Sequence, residues 1–408
     1  MTEKETVPKR FIGLDIHKHY LVAVGVDADL NPILGPQRVE FLNLGPWMAR
    51  SLRPDDALVI EMTTNTWQIY EDLLPHVGSV TVVHPPHVAL ITRSQVMNDK
   101  IAASILARLL AKGLLVGIWV PPQPVRDARM LIAQRSKMTR LATQSKNRLH
   151  AILHSRHILP PEGSPFLPER QGWWLALALG ATERVRIECD LDTLAFAQKQ
   201  IVRLDQAIHH LAAEDQRTPL LTQLPGVGIL TATTILAAIG EIGRFPSDKK
   251  LVGYAGLGGR LHESGMSSRK GSITKAGRRD LRSAMVEAAQ TAANTHPHWK
   301  AELARLQPRL GRNKAIVAIA RKLLVAVWHI LTKQQADRFA QPEIVARKLM
   351  QCAYKLGKQN RPADLSTAQL VRQQLDTLGL GADLTGIAWG PKKAPLRLPP
   401  SNLMAIKK

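Results

Sequence analysis

The sequence predicts a chain of two characters, an α/β unit followed by an all-helical part, and three observations lead there. Up to "VPPQPV" at residues 120–125, short apolar, β-branched runs alternate with helical ones. Beyond that break, apolar residues recur almost only at helical spacing. The formal net charge is +22 over 408 residues, on an ordinary apolar fraction of 45% that can build sizeable cores.

The elements follow in order. "RFIGLDIHKHYLVAVGVD" is expected to form two strands around a tight turn, with a third at "RVEFLNL". A short helix, a strand "ALVIEM", a helix "TWQIYEDLLPH", a strand "SVTVVHP" and a longer helix "NDKIAASILARLLAKG" come next. Three strands and then alternating helices and strands match the order of an RNase H-like (RuvC-like) fold, here residues 1–124. From Arg126 to His157 and again over "LDTLAFAQKQIVRLDQAIHHLAAED", helical periodicity on a basic background predicts a coiled-coil arm over 125–215. Two ordinary surface helices would give the same pattern. A segment holding Trp173 and Trp174 interrupts them.

Residues 216–335 read as a helical domain, with a Gly-x-Gly turn in "LPGVGILTA" and a closing helix "GRNKAIVAIARKLL". Residues 336–408 read as a helical, basic tail, whose end "GPKKAPLRLPPSNLMAIKK" is expected to stay disordered until it meets nucleic acid.

Such a charge excess makes a compact chain repel itself unless polyanions are near, so nucleic acid is the expected partner. A basic membrane-surface protein is the plainer alternative. No continuous apolar run is expected to span a bilayer, and "MTEKETVPKR" lacks a signal-peptide core. Cys189 and Cys352 fit neither a disulfide framework nor a zinc knuckle, so a reducing, cytoplasmic setting is expected. Aromatic residues make up only 4%, which leaves binding to charge rather than base stacking.

Three carboxylates interrupt apolar elements of the first unit: Asp15 in "FIGLDIHK", Glu61 in "LVIEMTTN" and Asp99 at the start of "NDKIAASILA". Singly, each has a plain explanation, a solvated strand end or, for Asp99, a helix N-cap. Together, in this order, they match the carboxylates by which RNase H-like nucleases hold Mg²⁺ for phosphoryl transfer.

The second unit contributes "HESGMSSRKGSITKAGRR", residues 262–279, a basic loop with four serines and three glycines. Ser264, Ser267 and Ser268 are candidate nucleophiles or phosphate contacts. Arg269, Lys270, Lys275, Arg278 and Arg279 could position a phosphate and offset transition-state charge. Gly265, Gly271 and Gly277 would let the backbone approach DNA closely. In "LPGVGILTA", which resembles a helix-hairpin-helix, Gly226 and Gly228 would present backbone N–H groups to phosphate. A simple helix connector and a basic loop without chemistry are the competing explanations.

The motifs "GLDIHK", "VIEMT", "NDKIAASILA", the serine stretch with its flanks and "GRNKAIVAIARKLL" resemble, in the same order over about residues 10–335, the DEDD-type insertion-sequence transposases. These recombinases pair a RuvC-like N-terminal domain with a C-terminal serine transposase domain, and some are guided by a bridge RNA. The resemblance implies Ser264 as nucleophile, with Asp15, Glu61 and Asp99 as Mg²⁺ ligands. It implies a composite site that pairs the carboxylates of one protomer with the serine of another. DNA cleavage through a 5′-phosphoserine and strand exchange would follow. Donor and target DNA, a structured noncoding RNA and a homo-oligomer, a dimer of dimers, are the implied partners, and no membrane.

The chain departs from the family at one point. The fourth acidic position, three residues after Asp99 on the same helical face, is Ala102. A methyl group cannot ligate metal, so the chain is either naturally impaired or carries a substitution that stops the reaction. Asp127 does not replace it, because it lies beyond the Pro-rich break. Two rival functions remain: a Holliday-junction resolvase-like nuclease that uses water and leaves Ser264 idle, and a catalytically impaired nucleic-acid-binding scaffold.

Overall fold

Alternation builds the first strand. In β1 (Arg10–Ile16) the apolar Ile12, Leu14 and Ile16 fall on one face, and Gly13 and Asp15 on the other. The computed structural model describes residues 9–85, 98–264, 267–389 and 394–403, and at 261–264, 267–270 and 394 only their backbone. The chain divides into two units, Met1–Pro121 and Pro122–Lys408.

The first unit is a five-stranded mixed sheet. To β1 are added β2 (Tyr20–Val26), β3 (Pro32–Glu40), β4 (Asp56–Glu61) and β5 (Ser79–Val83), in the order β3-β2-β1-β4-β5. The first three strands pair antiparallel, and β1, β4 and β5 run parallel. The topology is consistent with an RNase H-like domain. On one face Ile12, Leu14, Leu58 and Ile60 pack with Trp47 and Met48 of α1 (Leu44–Ser51) and Ile69 and Leu73 of α2 (Thr66–Leu73). On the other face α3 (Asp99–Ala111) sets Ala103 against Val22 and Val24, and Leu106 against Val59 and Val83.

Gly13 explains how closely α3 crosses β1. A Cβ there would lie 2.1 Å from the Ala103 carbonyl oxygen and 2.6 Å from the Ala107 amide nitrogen. Both are backbone atoms of the helix, so no rotamer change relieves the clash. Gly13→Ala is expected to destabilise the unit by about 1–3 kcal/mol, the range for overpacking, by lifting α3 off the sheet. An unchanged denaturant midpoint would contradict that role.

The second unit begins with a long antiparallel helix pair, α4 (Gln123–Ser155) and, beyond the short α5 (Gln171–Leu175), α6 (Ala181–Glu214). The direction shows in the ion pairs Arg135–Asp205, Arg148–Asp190 and Arg156–Glu183, where one number rises as the other falls. The aromatic interruption is structural: Trp174 is buried with Leu149, Leu153 and Ile187, and its Nε1 donates to the Pro165 carbonyl at 2.8 Å.

A helical core follows. It comprises α7 (Thr218–Thr222), α8 (Ile229–Ile239), α9 (Asp248–Tyr254), α10 (Arg279–Thr295), α11 (Pro297–Leu310) and α12 (Arg312–Lys333). Alanines 284, 288, 289, 292 and 293 give α10 a small-residue face that admits its neighbours closely. By length and composition α12, with a mean hydropathy of 1.8, could cross a bilayer, although Arg321 and Lys322 interrupt its apolar run. Its apolarity has another cause, since Leu323, Leu324 and Val327 are fully buried in this core.

Part of the basic charge is consumed here. The carbonyls ending α8 accept from three arginines: Ala237 and Ala238 from Arg129, Ile239 from Arg244 and Gly240 from Arg217. Cations at a helix C-terminus satisfy its orphan acceptors and complement its dipole. These guanidinium groups therefore tie α4 and the segments flanking α8 to the core.

Two expectations need correction. Residues 262–279 are not all loop: β6 (Gly259–Ser264) and β7 (Ser267–Ile273) form an antiparallel hairpin. The C-terminal part is helical as expected, but its end is not disordered where it is described. Helices α13 (Pro342–Leu356) and α14 (Thr367–Thr377) bury Leu349, Met350, Val371 and Leu375 in the core, and β8 (Gly386–Trp389) pairs with β9 (Ala394–Arg397). Leu398 is buried, and Ser401 donates to Asp376 at 2.7 Å, so the stretch expected to wait for nucleic acid packs on the protein where it is described.

Candidate functional site

The carboxylates of the first unit gather because three elements end together. Leu14 and Ile60 are register partners on adjacent parallel strands, so the residues that follow, Asp15 and Glu61, reach the same sheet edge. The helix supplies Asp99. Its N-cap is Asn98, whose side chain accepts from the Ile101 amide at 2.9 Å. Asp99 is therefore not occupied in capping, and its carboxylate turns to the strand end. Ala102 lies half-buried one turn further along α3.

Sequence reasoning missed the group between them. His17 Nε2 lies 3.3 Å from an oxygen of Asp15 and 3.3 Å from an oxygen of Asp99. One atom from each of these residues falls within a 4.8 Å cluster suited to a metal ion. His17 is fixed on several sides. Its amide donates to the Tyr20 carbonyl at 2.9 Å, closing the β1–β2 hairpin, and the Asn65 side chain donates to the His17 carbonyl at 3.3 Å. Tyr20 stacks on its ring at 4.6 Å and donates through its hydroxyl to Asp99 at 3.0 Å, under the Arg38 guanidinium. The signal was present: His17 follows Asp15 by two residues, the strand's side-chain period.

The electrostatics are those of acids crowded without enough positive charge. Burial pushes the Asp15 carboxyl above its usual range; His17 pulls it back and Asp99 pushes it up again. Glu61 is raised by burial and then by Asp15. A divalent cation would reverse these penalties, and carboxylate oxygens suit one.

The second unit places the serines by backbone. Ser264 and Ser267 face each other as the last register pair of the β6–β7 hairpin, and Ser268 pairs with Glu263, Arg269 with His262 and Lys270 with Leu261. Gly265 lies outside the described residues. The hairpin's base is anchored: Thr274 donates to Gly258 at 2.8 Å, Lys275 to Gly256 at 3.1 Å and Arg278 to Tyr254 at 2.9 Å.

This anchoring gives Gly277 a reason of its own. Its φ is 117°, and a Cβ would sit 2.3 Å from the Tyr254 carbonyl oxygen. Gly226 is similar, with φ of 78° and a Cβ position 2.1 Å from the Ala288 carbonyl oxygen. Both glycines serve close backbone contact inside the protein. Gly228, the N-cap of α8, and Gly271 keep more room. Lys275 and Arg279 are exposed, whereas Arg278 is half-buried and ion-paired with Asp280.

Two family models match this chain. One for DEDD-type transposases of the IS110 group, described as "Transposase", matches residues 12–158, and one described as "Transposase IS116/IS110/IS902 family" matches residues 218–304. The chain is 24% identical over 337 residues to the transposase for insertion sequence element IS1111A of Coxiella burnetii, covering 81% of this chain and 91% of that protein. It is 28% identical over 343 residues to the pilin gene-inverting protein of Moraxella bovis, covering 80% and 97%. A mixed sheet with acids gathered at its edge, followed by a helical unit carrying a serine hairpin, is thus the body of a DEDD-type transposase, an enzyme of DNA transposition. The chain belongs to the IS116/IS110/IS902 transposase family.

Proposed function

We propose that this transposase cleaves and exchanges DNA strands through a covalent bond to Ser264, with Asp15, Glu61 and Asp99 holding Mg²⁺. The observation that best supports the reading is the hairpin. A polar strand pair on an anchored base sets Ser264 at the end of β6, opposite Ser267. The Ser264 oxygen attacks phosphorus and loses its proton, the bond to the 3′ oxygen breaks and that oxygen leaves as a 3′-hydroxyl after taking up a proton, and the 5′-phosphate stays on the serine. Attack by another strand's 3′-hydroxyl restores a diester and frees Ser264, so strands are exchanged without net hydrolysis. The inversion named for the Moraxella bovis relative is an outcome of this kind. When bound, the metal offsets charge at the attacking and leaving oxygens. Asp15, Glu61 and Asp99 would hold it, and the buried Nε2 of His17 lies between two of these carboxylates.

In this reading the protomers act together, as a dimer of dimers with the carboxylates of one serving the serine of another. A structured noncoding RNA guides the choice of donor and target DNA. Exposed Lys137 and Arg140 on α4 and the net charge of +22 suit such polyanions. Sequencing RNA that co-purifies with the protein tests the guide, and a covalent protein–DNA adduct tests the chemistry. Ala102 favours one second reading, a nucleic-acid scaffold with impaired catalysis, for which no adduct forms under any metal.

Exposure sorts the basic residues. Replacing Lys275 and Arg279 by alanine is expected to flatten the salt dependence of DNA affinity by about one log–log unit per lost phosphate contact. Arg278→Ala, which breaks the Asp280 pair, should lower stability more than it changes that slope. Equal slopes in all three proteins would remove this hairpin base from the DNA interface.

A further inference from the structure

We propose that His17 is a metal ligand in this chain, supplying through Nε2 the donor that Ala102 cannot, and that the site consequently prefers Mn²⁺ to Mg²⁺. The inference rests on the metal reading of Asp15 and Asp99 given above and goes beyond it in naming the nitrogen and the ion.

The geometry carries it. His17 Nε2 stands 3.3 Å from both Asp15 and Asp99, as one of the three mutually close ligand atoms. That nitrogen is buried and equally close to both carboxylates. A ring serving as a plain ion-pair partner would be expected to turn one N–H onto one oxygen. Here Tyr20 stacks on the ring while the main chain of His17 is held by its bonds to Tyr20 and Asn65, and Nε2 lies between the two acids.

Preorganised, neutral imidazole is a ligand for first-row transition ions. Mg²⁺ is hard, prefers oxygen and keeps its waters, so replacing a carboxylate by a nitrogen donor weakens its binding. Mn²⁺ tolerates a mixed set of oxygens and one imidazole. With Ala102 in the fourth acidic position, the ligand atoms brought together are those of Asp15, Asp99 and His17, with Glu61 within electrostatic reach of Asp15.

The test is pulsed electron paramagnetic resonance of the full-length protein loaded with Mn²⁺. Nitrogen modulation from a directly bonded imidazole is expected, and it should change frequency when the protein is labelled with ¹⁵N-histidine. His17→Ala should abolish it and weaken Mn²⁺ binding by about tenfold or more, measured by calorimetry, while changing Mg²⁺ binding far less. The wild-type spectrum needs no variant, so a misfolded His17→Ala protein cannot hide the answer.

If Mn²⁺ binds and Asp15→Asn abolishes binding, but no nitrogen modulation is seen, the metal site stands and the role of His17 is overturned. If neither ion binds the wild type, or Asp15→Asn binds as well as it does, the metal reading itself fails and takes this inference with it.

Discussion

Ser264→Ala is expected to abolish the covalent protein–DNA adduct and to reduce strand exchange on the order of 10⁴-fold or more, the scale on which loss of a nucleophile is read. Affinity for DNA should barely change, because one hydroxyl among many basic contacts contributes little to a charge-dominated interface. The result separates three chemistries. A phosphoserine enzyme loses adduct and recombination together. A resolvase that activates water at the carboxylates keeps cleaving, because Ser264 is idle. A scaffold shows no adduct before or after the change. Ser267 is the register partner of Ser264, and Ser268 the next residue, so an adduct that survives moves the nucleophile to one of them. The measurement is a denaturing gel shift of labelled DNA, with the modified peptide located by mass spectrometry.

The first unit was legible because its strands are apolar runs and its acids interrupt them. Asp15 after Leu14 and Glu61 after Ile60 mark where two parallel strands leave the core, and strand register brings them together. The antiparallel arm showed in helical periodicity and is closed by the charge pairs that periodicity places on facing sides. The serine hairpin was not legible, for a physical reason. Its strands carry no apolar alternation, so no buried face announces them, and what holds them is pairing to each other and an anchored base. A Gly-Met pair between Ser264 and Ser267 was the remaining clue, since two-residue hairpin connections favour glycine first.

Gly277 and Gly226, read as sites of close approach to DNA or phosphate, also have a reason inside the protein, because a Cβ at either would meet a carbonyl of its own chain. The end of the chain misled because its Pro- and Lys-rich composition reads as disorder, yet a core built by other helices receives Leu396 and Leu398. His17 escaped notice because a search for carboxylates passes over the imidazole that lies between two of them.

Ala102→Asp is expected to raise Mg²⁺-supported DNA cleavage on the order of 100-fold or more, since a missing ligand withdraws several kcal/mol of charge stabilisation from a metal-assisted displacement. The helix should tolerate the change. Position 102 is half-buried in the first turn of α3, where a negative side chain complements the dipole, and Asn98 already caps the end. Without divalent ions the same carboxylate should be harmful, because it adds charge beside Asp15 and Glu61, whose carboxyls are already raised by burial and by acidic neighbours. Chelation should therefore lower the melting temperature of the variant more than that of the wild type. Metal identity sharpens the expectation. If His17 fills the fourth position in the wild type, the gain from Ala102→Asp should be large with Mg²⁺ and small with Mn²⁺, and His17→Ala should cost the wild type more than it costs the variant. A gain of equal size with both ions would leave the carboxylate role of position 102 intact while removing His17 from the ligand set. Equal cleavage by the two proteins under both ions would take position 102 out of the site and leave Asp15, Glu61 and Asp99 to act without a fourth carboxylate.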